Sequence, residues 1–135
     1  MTLKPRQDAY PIDALLPELC NRFQPGRTLL LQAPPGAGKT TRVPLALIGA
    51  LGDEIRRDGR IWMIEPRRLA ARAAAARLAA SLEEAVGQRI GFAVRGEQRR
   101  SARTQVEVIT DGLFLRRLQA DPSLDGVSCV LFDEF

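Results

Sequence analysis

The chain alternates short apolar runs with longer stretches in which apolar residues recur every three or four positions. The short runs predict buried strands, and the longer stretches predict helices with one buried side. The predicted strands are residues 28–32, 60–65, 90–95, 106–109 and 128–132, with 90–95 at an edge of the sheet. The predicted helices are residues 12–23, 39–51, 66–82 and 111–120, with Leu113, Leu115 and Leu118 among the buried positions of the last. This alternation predicts an α/β fold with a mainly parallel sheet.

The length of the chain and its two ends bound its organisation. A chain of 135 residues has room for one domain at most. It stops directly after the last predicted strand, and a parallel sheet needs both faces covered, so we expect residues 10–135 to be a partial domain, incomplete at its C-terminus. Residues 1–9 are expected to form a flexible lead. No apolar run approaches the roughly 20 residues that span a bilayer, and no secretory signal is evident. We therefore expect a cytoplasmic protein that does not contact membranes.

Composition narrows the available chemistry. The chain has no histidine, which removes the commonest general base and metal ligand. Cys20 and Cys129 lie far apart without metal-type spacing, so we expect two reduced, packed thiols. The net charge of +4 fits a partner with phosphates, but many basic proteins bind no nucleic acid. Charge alone therefore leaves the partner open.

A glycine-rich loop follows the first predicted strand and precedes a predicted helix. Gly36 and Gly38 let the backbone bring amide hydrogens close to a phosphate. Lys39 adds positive charge near the β- and γ-phosphates, and Thr40 offers a hydroxyl to Mg²⁺. The helix amino terminus adds partial positive charge. The predicted nucleotide-binding residues are Ala33, Pro34, Pro35, Gly36, Ala37, Gly38, Lys39, Thr40 and Thr41.

An acidic pair closes the last predicted strand. In a phosphate-loop enzyme, carboxylates at this position face the bound Mg²⁺ from a neighbouring strand. We expect Asp133 to hold the ion through water and Glu134 to orient and polarise the attacking water. Thr40 and Asp133 are thus the predicted metal residues. Lys39 and Glu134 are the predicted catalytic residues.

Two helix starts carry groups that suit a nucleic-acid backbone. Arg67 and Arg68 lie in the predicted first turn of the helix that follows strand 60–65, because Pro66 fits a helix start. Thr110 is expected to cap the next such helix with its side chain, with Gly112 beside it. Each feature alone is also typical of an ordinary cap or a solvated turn, so their meaning depends on whether they share one edge of the sheet.

Together these segments resemble the superfamily-two DEAH-box helicases, most closely the bacterial HrpB type. The matching stretches, in family order, are Ala33-Pro-Pro-Gly-Ala-Gly-Lys-Thr-Thr41, Glu65-Pro-Arg-Arg-Leu-Ala-Ala71, Val94-Arg-Gly-Glu97, Thr110-Asp-Gly112 and Phe132-Asp-Glu-Phe135. Ala33 replaces the usual Gly of the loop, as is common in helicases. Phe135 stands where most DEAH relatives carry Ala, and the final His of the box would come next.

The resemblance implies a RecA-like phosphate-loop NTPase lobe that uses ATP and Mg²⁺ and contacts single-stranded nucleic acid, with RNA expected, through Arg67, Arg68, Thr110 and Gly112. It also implies that Arg77 stacks on the adenine ring. The parent would couple ATP hydrolysis to strand translocation or unwinding, and this chain alone would lack turnover without the second lobe and its arginine fingers. The alternatives are a nucleotide-binding fragment without catalysis and a small-molecule kinase with the same loop.

Overall fold

The centre of the fold is a five-stranded sheet. The computed structural model describes residues 10–34, 36–52 and 59–133. The strands are β1 (Arg60–Glu65), β2 (Ile90–Val94), β3 (Glu97–Arg99), β4 (Val106–Thr110) and β5 (Val127–Phe132), in the spatial order β3-β2-β4-β1-β5. Strand β1 pairs in parallel with β4 and β5, and β2 pairs in parallel with β4. Only β3 among these strands runs antiparallel to its neighbour β2. The prediction of a mainly parallel α/β sheet is confirmed.

Four α-helices and one 3-10 helix accompany the sheet in the described part of the chain. They are the 3-10 helix Pro11–Leu15, α1 (Leu16–Arg22), α2 (Lys39–Ala50), α3 (Arg68–Ser81) and α4 (Asp111–Ala120). The single helix predicted for residues 12–23 is in fact two, because Pro17 has no amide hydrogen to continue the α-helical ladder back to Asp13. The bond from the Leu16 amide to the Asp13 carbonyl oxygen therefore closes a 3-10 turn.

The two faces of the sheet have cores of different size. Side chains alternate between the faces along each strand, so Ile61 and Met63 of β1 pack against helices α2 and α3 in the larger cluster. Ile64 points the other way, into a smaller cluster with Ile109 and Phe114. Helix α4 covers that second face within the described residues. Its predicted burial is weak: Leu113 and Leu118 are half-buried, and Leu115 is exposed, which corrects the prediction for Leu115.

The segment predicted as the first strand does not join the sheet. Residues 27–34 have no regular secondary structure and form no ladder with any described strand, and Leu30 in the middle of the segment is 73% exposed. A strand needs a partner for its amide and carbonyl groups as well as apolar side chains. The segment instead lines one side of an open cleft whose other side is β5, and it leads into the glycine-rich loop.

Three smaller predictions also need correction. Strand β2 is an interior strand, because β3 continues the chain through a turn at Gly96 and forms the edge. Helix α3 begins at Arg68 instead of Pro66, because Arg67 has an extended backbone and occupies the cap position. Strand β5 is mostly half-buried, with only Cys129 fully buried.

No described helix is both long and apolar enough to cross a membrane.

Candidate functional site

The glycine-rich loop turns sharply into helix α2. Gly36 and Gly38 have φ values of 80° and 95°, in the left-handed region that favours glycine. The Ala37 amide donates to the carbonyl oxygen of Pro34 at 3.1 Å, which closes the turn. Gly38 is the cap residue of α2, so Lys39 and Thr40 are its first two residues. The first amide hydrogens of a helix have no partner within it, so this helix start suits an anion.

The acidic strand end lies against this loop. The Thr40 hydroxyl donates to Oδ1 of Asp133 at 2.6 Å, across 93 positions of sequence. The Asp133 amide donates to the carbonyl oxygen of Ile64 at 3.3 Å, so the residue is held as a continuation of the β5 ladder. Hydroxyl and carboxylate oxygens are the donor types that Mg²⁺ prefers, and this ion usually takes only one or two of them from the protein. The pair therefore fits the expected metal.

Lys39 has its charge available beside this pair. Its side chain is half-buried, and it forms no ion pair with any residue that the structure describes. Lys39, Thr40 and Asp133 line one wall of the cleft between residues 24–34 and β5, which has a volume of about 1540 Å³. Most of the other lining side chains are apolar, including Leu31 and Leu131. A positive charge, a hydroxyl and a carboxylate thus meet at the loop end of the cleft, and further polar residues, among them Arg27 and Ser128, line it elsewhere.

The described residues do not test the predicted roles of three nucleotide-binding or catalytic residues. Pro35 and Glu134 lie outside the described residues, so their predicted roles stay predictions. Arg77 lies in the third turn of α3 on its exposed side, and its carbonyl oxygen accepts a bond from the Ser81 hydroxyl. The stacking of Arg77 on adenine also stays a prediction.

The two helix starts do lie at one edge of the sheet. Glu65 and Thr110, the last residues of β1 and β4, are register partners in the parallel ladder. Arg67 and Arg68 follow β1 directly and are both exposed, as is Gly112 in the first turn of α4. This edge is also where β5 ends at Asp133. The parallel topology therefore places the predicted nucleotide-binding and nucleic-acid-binding residues along one side of the sheet.

The expected side-chain cap by Thr110 is wrong. Thr110 is the cap residue of α4, but it makes no side-chain cap bond within the described part of the chain, and it is only 8% exposed. The carboxylate of Asp111 accepts the Gly112 amide at 2.7 Å instead. Thr110 is therefore buried between the strand end and the helix, while Gly112 is open to solvent.

Residues before the loop contact it in a way that sequence reasoning missed. Tyr10 packs against Gly38, and the Ile12 amide donates to the carbonyl oxygen of Ala37 at 3.0 Å. Arg42 of α2 reaches back to Asp13 and Tyr10. The only local signal is Asp13, two residues after a proline at a helix start, where it favours capping. Nothing in the order of residues indicated that this turn would lie on the loop.

Known proteins similar to this chain share its sequence and its fold. The DEAD/DEAH box helicase family pattern matches residues 15–135. The ATP-dependent RNA helicase HrpB of Escherichia coli (strain K12) is 43% identical over 127 residues, covering 94% of this chain and 15% of that protein. The DExH-box ATP-dependent RNA helicase DExH1 of Arabidopsis thaliana is 33% identical over 133 residues, covering 98% of this chain and 13% of that protein.

Solved structures of similar proteins share the fold of this chain. Two crystal structures of Escherichia coli HrpB, described as a DEAH/RHA helicase and a DExH-box NTPase, superpose with TM-scores of 0.84 and 0.86. They are 41% and 40% identical, and cover 93% and 98% of this chain. The match covers only 16% of each solved chain. The predicted RecA-like lobe is thereby confirmed, and the chain belongs to the DEAD/DEAH box helicase family.

Proposed function

We propose that this chain is the ATP-binding lobe of an ATP-dependent RNA helicase. The hydrogen bond between the Thr40 hydroxyl and the Asp133 carboxylate carries the proposal, because it joins a phosphate-type loop to an acidic strand end. The names of the relatives, among them RNA helicases of a bacterium and a plant, support RNA as the nucleic acid. The chain spans less than a fifth of each relative, so activity belongs to the complete gene product.

In this proposal the loop binds the phosphates of ATP. Amide hydrogens of the loop and of the start of α2 donate to phosphate oxygens, and Lys39 neutralises charge on the β- and γ-phosphates. Thr40 and Asp133 would hold the Mg²⁺, and the ion would supply charge stabilisation at the phosphates. Glu134, the next residue, orients the attacking water. Arg77 stacks on the adenine ring.

The other half of the proposal concerns the RNA backbone. Arg67 and Arg68 are exposed at the start of α3, and the exposed Gly112 lies at the start of α4 on the same edge. Arginine forks and helix amino termini are common phosphate contacts. The buried Thr110 contributes by shaping the α4 start. The domain is proposed to span residues 10–135 as part of a first RecA-like lobe, in a cytoplasmic protein.

Two substitutions in the complete gene product test the nucleotide site. Lys39→Ala should abolish ATP binding, because the γ-phosphate loses its charge partner. Asp133→Asn should spare much of the ATP binding but remove RNA-stimulated hydrolysis, because the metal loses its carboxylate. The measurements are calorimetric ATP titration and phosphate release with and without RNA. The matched control is Asp125→Asn, the same change at the exposed loop before β5 and thus at the opposite edge of the sheet.

The outcomes separate the proposal from its alternatives. Unchanged ATP affinity in Lys39→Ala would show that the loop is not a phosphate site. ATP binding without any RNA-stimulated hydrolysis in the wild-type protein would indicate a nucleotide-binding protein without catalysis. Hydrolysis that ignores RNA, together with phosphate transfer to a small acceptor, would indicate a kinase.

A further inference from the structure

A short segment before the loop is docked directly on it. Residues 10–13 comprise the cap residue and the first three residues of the 3-10 helix, and the Ile12 amide donates to the carbonyl oxygen of Ala37 at 3.0 Å. Ile12 is 1% exposed and belongs to the larger core cluster together with Ala37. The segment is therefore anchored in the core on one side and bonded to the backbone of the loop on the other.

The ring of Tyr10 lies on the second glycine of the loop. A Cβ placed on Gly38 would approach the ring atoms of Tyr10 to 2.4 Å, so the ring occupies the space that any side chain at this position would need. Gly38 also has the left-handed φ of 95°. Glycine is conformationally permissive, and a loop with two such residues samples many shapes unless its surroundings restrict it. The Tyr10 ring, packed against Gly38, supplies such a restriction.

Charged groups tie this ring to helix α2. The Tyr10 amide donates to Oδ2 of Asp13 at 3.0 Å, and the other carboxylate oxygen lies 3.6 Å from Nε of Arg42. The Arg42 guanidinium lies 4.8 Å from the centre of the Tyr10 ring, within the range of a cation–π contact. The Arg42 amide donates to the carbonyl oxygen of Gly38 at 2.8 Å. The contacts thus form a closed circuit around the loop's last glycine.

We infer that Tyr10, Asp13 and Arg42 form a brace, called here the Tyr10 brace, that holds the phosphate loop in its binding shape before nucleotide arrives. These are positioning residues, because they contact the loop backbone and helix start instead of the phosphates. The inference rests on the proposed ATP site. Its physical basis is preorganisation: a loop that is already ordered loses less conformational freedom on binding, so affinity rises without any added contact to the ligand.

The brace makes a specific expectation for each of its parts. Tyr10→Ala removes the ring and should weaken ATP binding about tenfold, which corresponds to ~1.4 kcal/mol. Tyr10→Phe keeps the ring and should bind ATP with wild-type affinity. Asp13→Asn keeps an acceptor for the Tyr10 amide but removes the charge beside Arg42, so it should weaken binding less. Asp13→Asn should also add little to the effect of Arg42→Gln, because both break the same contact.

The experiment is ATP titration by calorimetry on the complete gene product, with hydrogen exchange of the amides of residues 36–40 measured without nucleotide. Exchange at these amides should be faster in Tyr10→Ala, while the melting temperature stays close to wild type. The matched control is Glu18→Gln, which removes an exposed carboxylate–arginine pair with Arg22 on the neighbouring helix α1, at 2.8 Å. That variant should change neither affinity nor exchange at the loop.

The failure of this inference is distinguishable from failure of the ATP site. If Lys39→Ala loses ATP but Tyr10→Ala binds as tightly as wild type, the brace has no positioning role. If both variants bind like wild type, the ATP site itself is wrong. Should Tyr10→Ala lower the melting temperature strongly, Asp13→Asn and the exchange data decide, and unchanged loop exchange in Asp13→Asn would overturn the brace.

Discussion

At the scale of single residues, Glu107 is a charged side chain with no exposure to solvent. Its side chain is fully buried in β4, on the face of the sheet covered by α4. Arg100 donates to it at 3.1 Å, Arg117 donates to its other oxygen, and Arg60 lies 3.9 Å away. The Arg117 guanidinium also lies 5.0 Å from the centre of the Trp62 ring. One buried carboxylate thus organises three arginines that come from separate parts of the chain.

Removing this charge should destabilise the fold. Glu107→Gln leaves three guanidinium groups around a neutral amide, and we expect a loss of about 3 kcal/mol, toward the lower end for buried ion pairs because the arginines are partly exposed. The control is Glu97→Gln, which breaks the half-exposed pair with Arg72 and should cost less than about 1 kcal/mol. Urea unfolding curves of the three proteins give both values. Equal losses would mean that burial of Glu107 does not matter.

Cys129 offers a second test at this scale. Burial in β5 raises the pKa of the Cys129 thiol from 9.0 to about 11, so the folded chain keeps this thiol protonated at pH values where the unfolded chain releases the proton. At pH 8 an alkylating reagent should modify the half-buried Cys20 well before Cys129, with equal rates once the chain is unfolded. Because the folded state keeps a proton that the unfolded state releases, stability should fall as pH rises from 9 toward 11. Mass spectrometry of the two peptides checks the labelling, and rapid labelling of Cys129 in the folded chain would contradict it.

At the scale of elements, local signals and missing partners explain what the sequence could predict. The predicted bounds of β1 and α4 match the structure to the residue, because each is flanked by residues that end it: Gly59 and Pro66 around β1, and Thr110 and Asp121 around α4. Residues 28–32 have equally apolar side chains, yet form no strand. Apolar sequence indicates a preference for burial, but a strand exists only where another strand accepts its hydrogen bonds, and the order of residues does not name that partner.

The start of α3 carries the prediction that belongs to this scale. Arg67→Ala together with Arg68→Ala should weaken binding to all single-stranded RNA sequences alike, because phosphate contacts read no bases. Each lost phosphate contact should also flatten the log–log salt dependence by about 0.7. ATP binding without RNA should be nearly intact.

The measurement is a salt titration of RNA affinity in the complete gene product. The control is the double change Arg99→Ala and Arg103→Ala, which removes the same charge from exposed positions on and just after the edge strand β3. Equal slopes in wild type and the Arg67–Arg68 variant would identify this pair as a solvated turn. Selective loss for one RNA sequence would instead indicate base reading.

At the scale of the whole molecule, parallel topology accounts for the part of the site that could be predicted. The loop was identifiable as a contiguous motif, and the meeting of Thr40 with Asp133 follows from two segments that both reach the carboxyl edge of one sheet. The contacts of Tyr10 with Gly38 and of Glu107 with three arginines had no such rule behind them. They depend on how separate elements pack, which single residues and their spacing do not encode.

The outer edge of strand β5 affects how the chain associates with other polypeptides. Among the described strands it has one neighbour, β1, and its outer edge faces the unpaired segment 27–34. A row of open amide and carbonyl groups is a template to which any extended peptide can add. The six residues of β5 carry no charge, no proline and no glycine, the devices that usually discourage such addition. The outer edge of the strand that leads to Asp133 is therefore also the place where self-association of the isolated chain would begin.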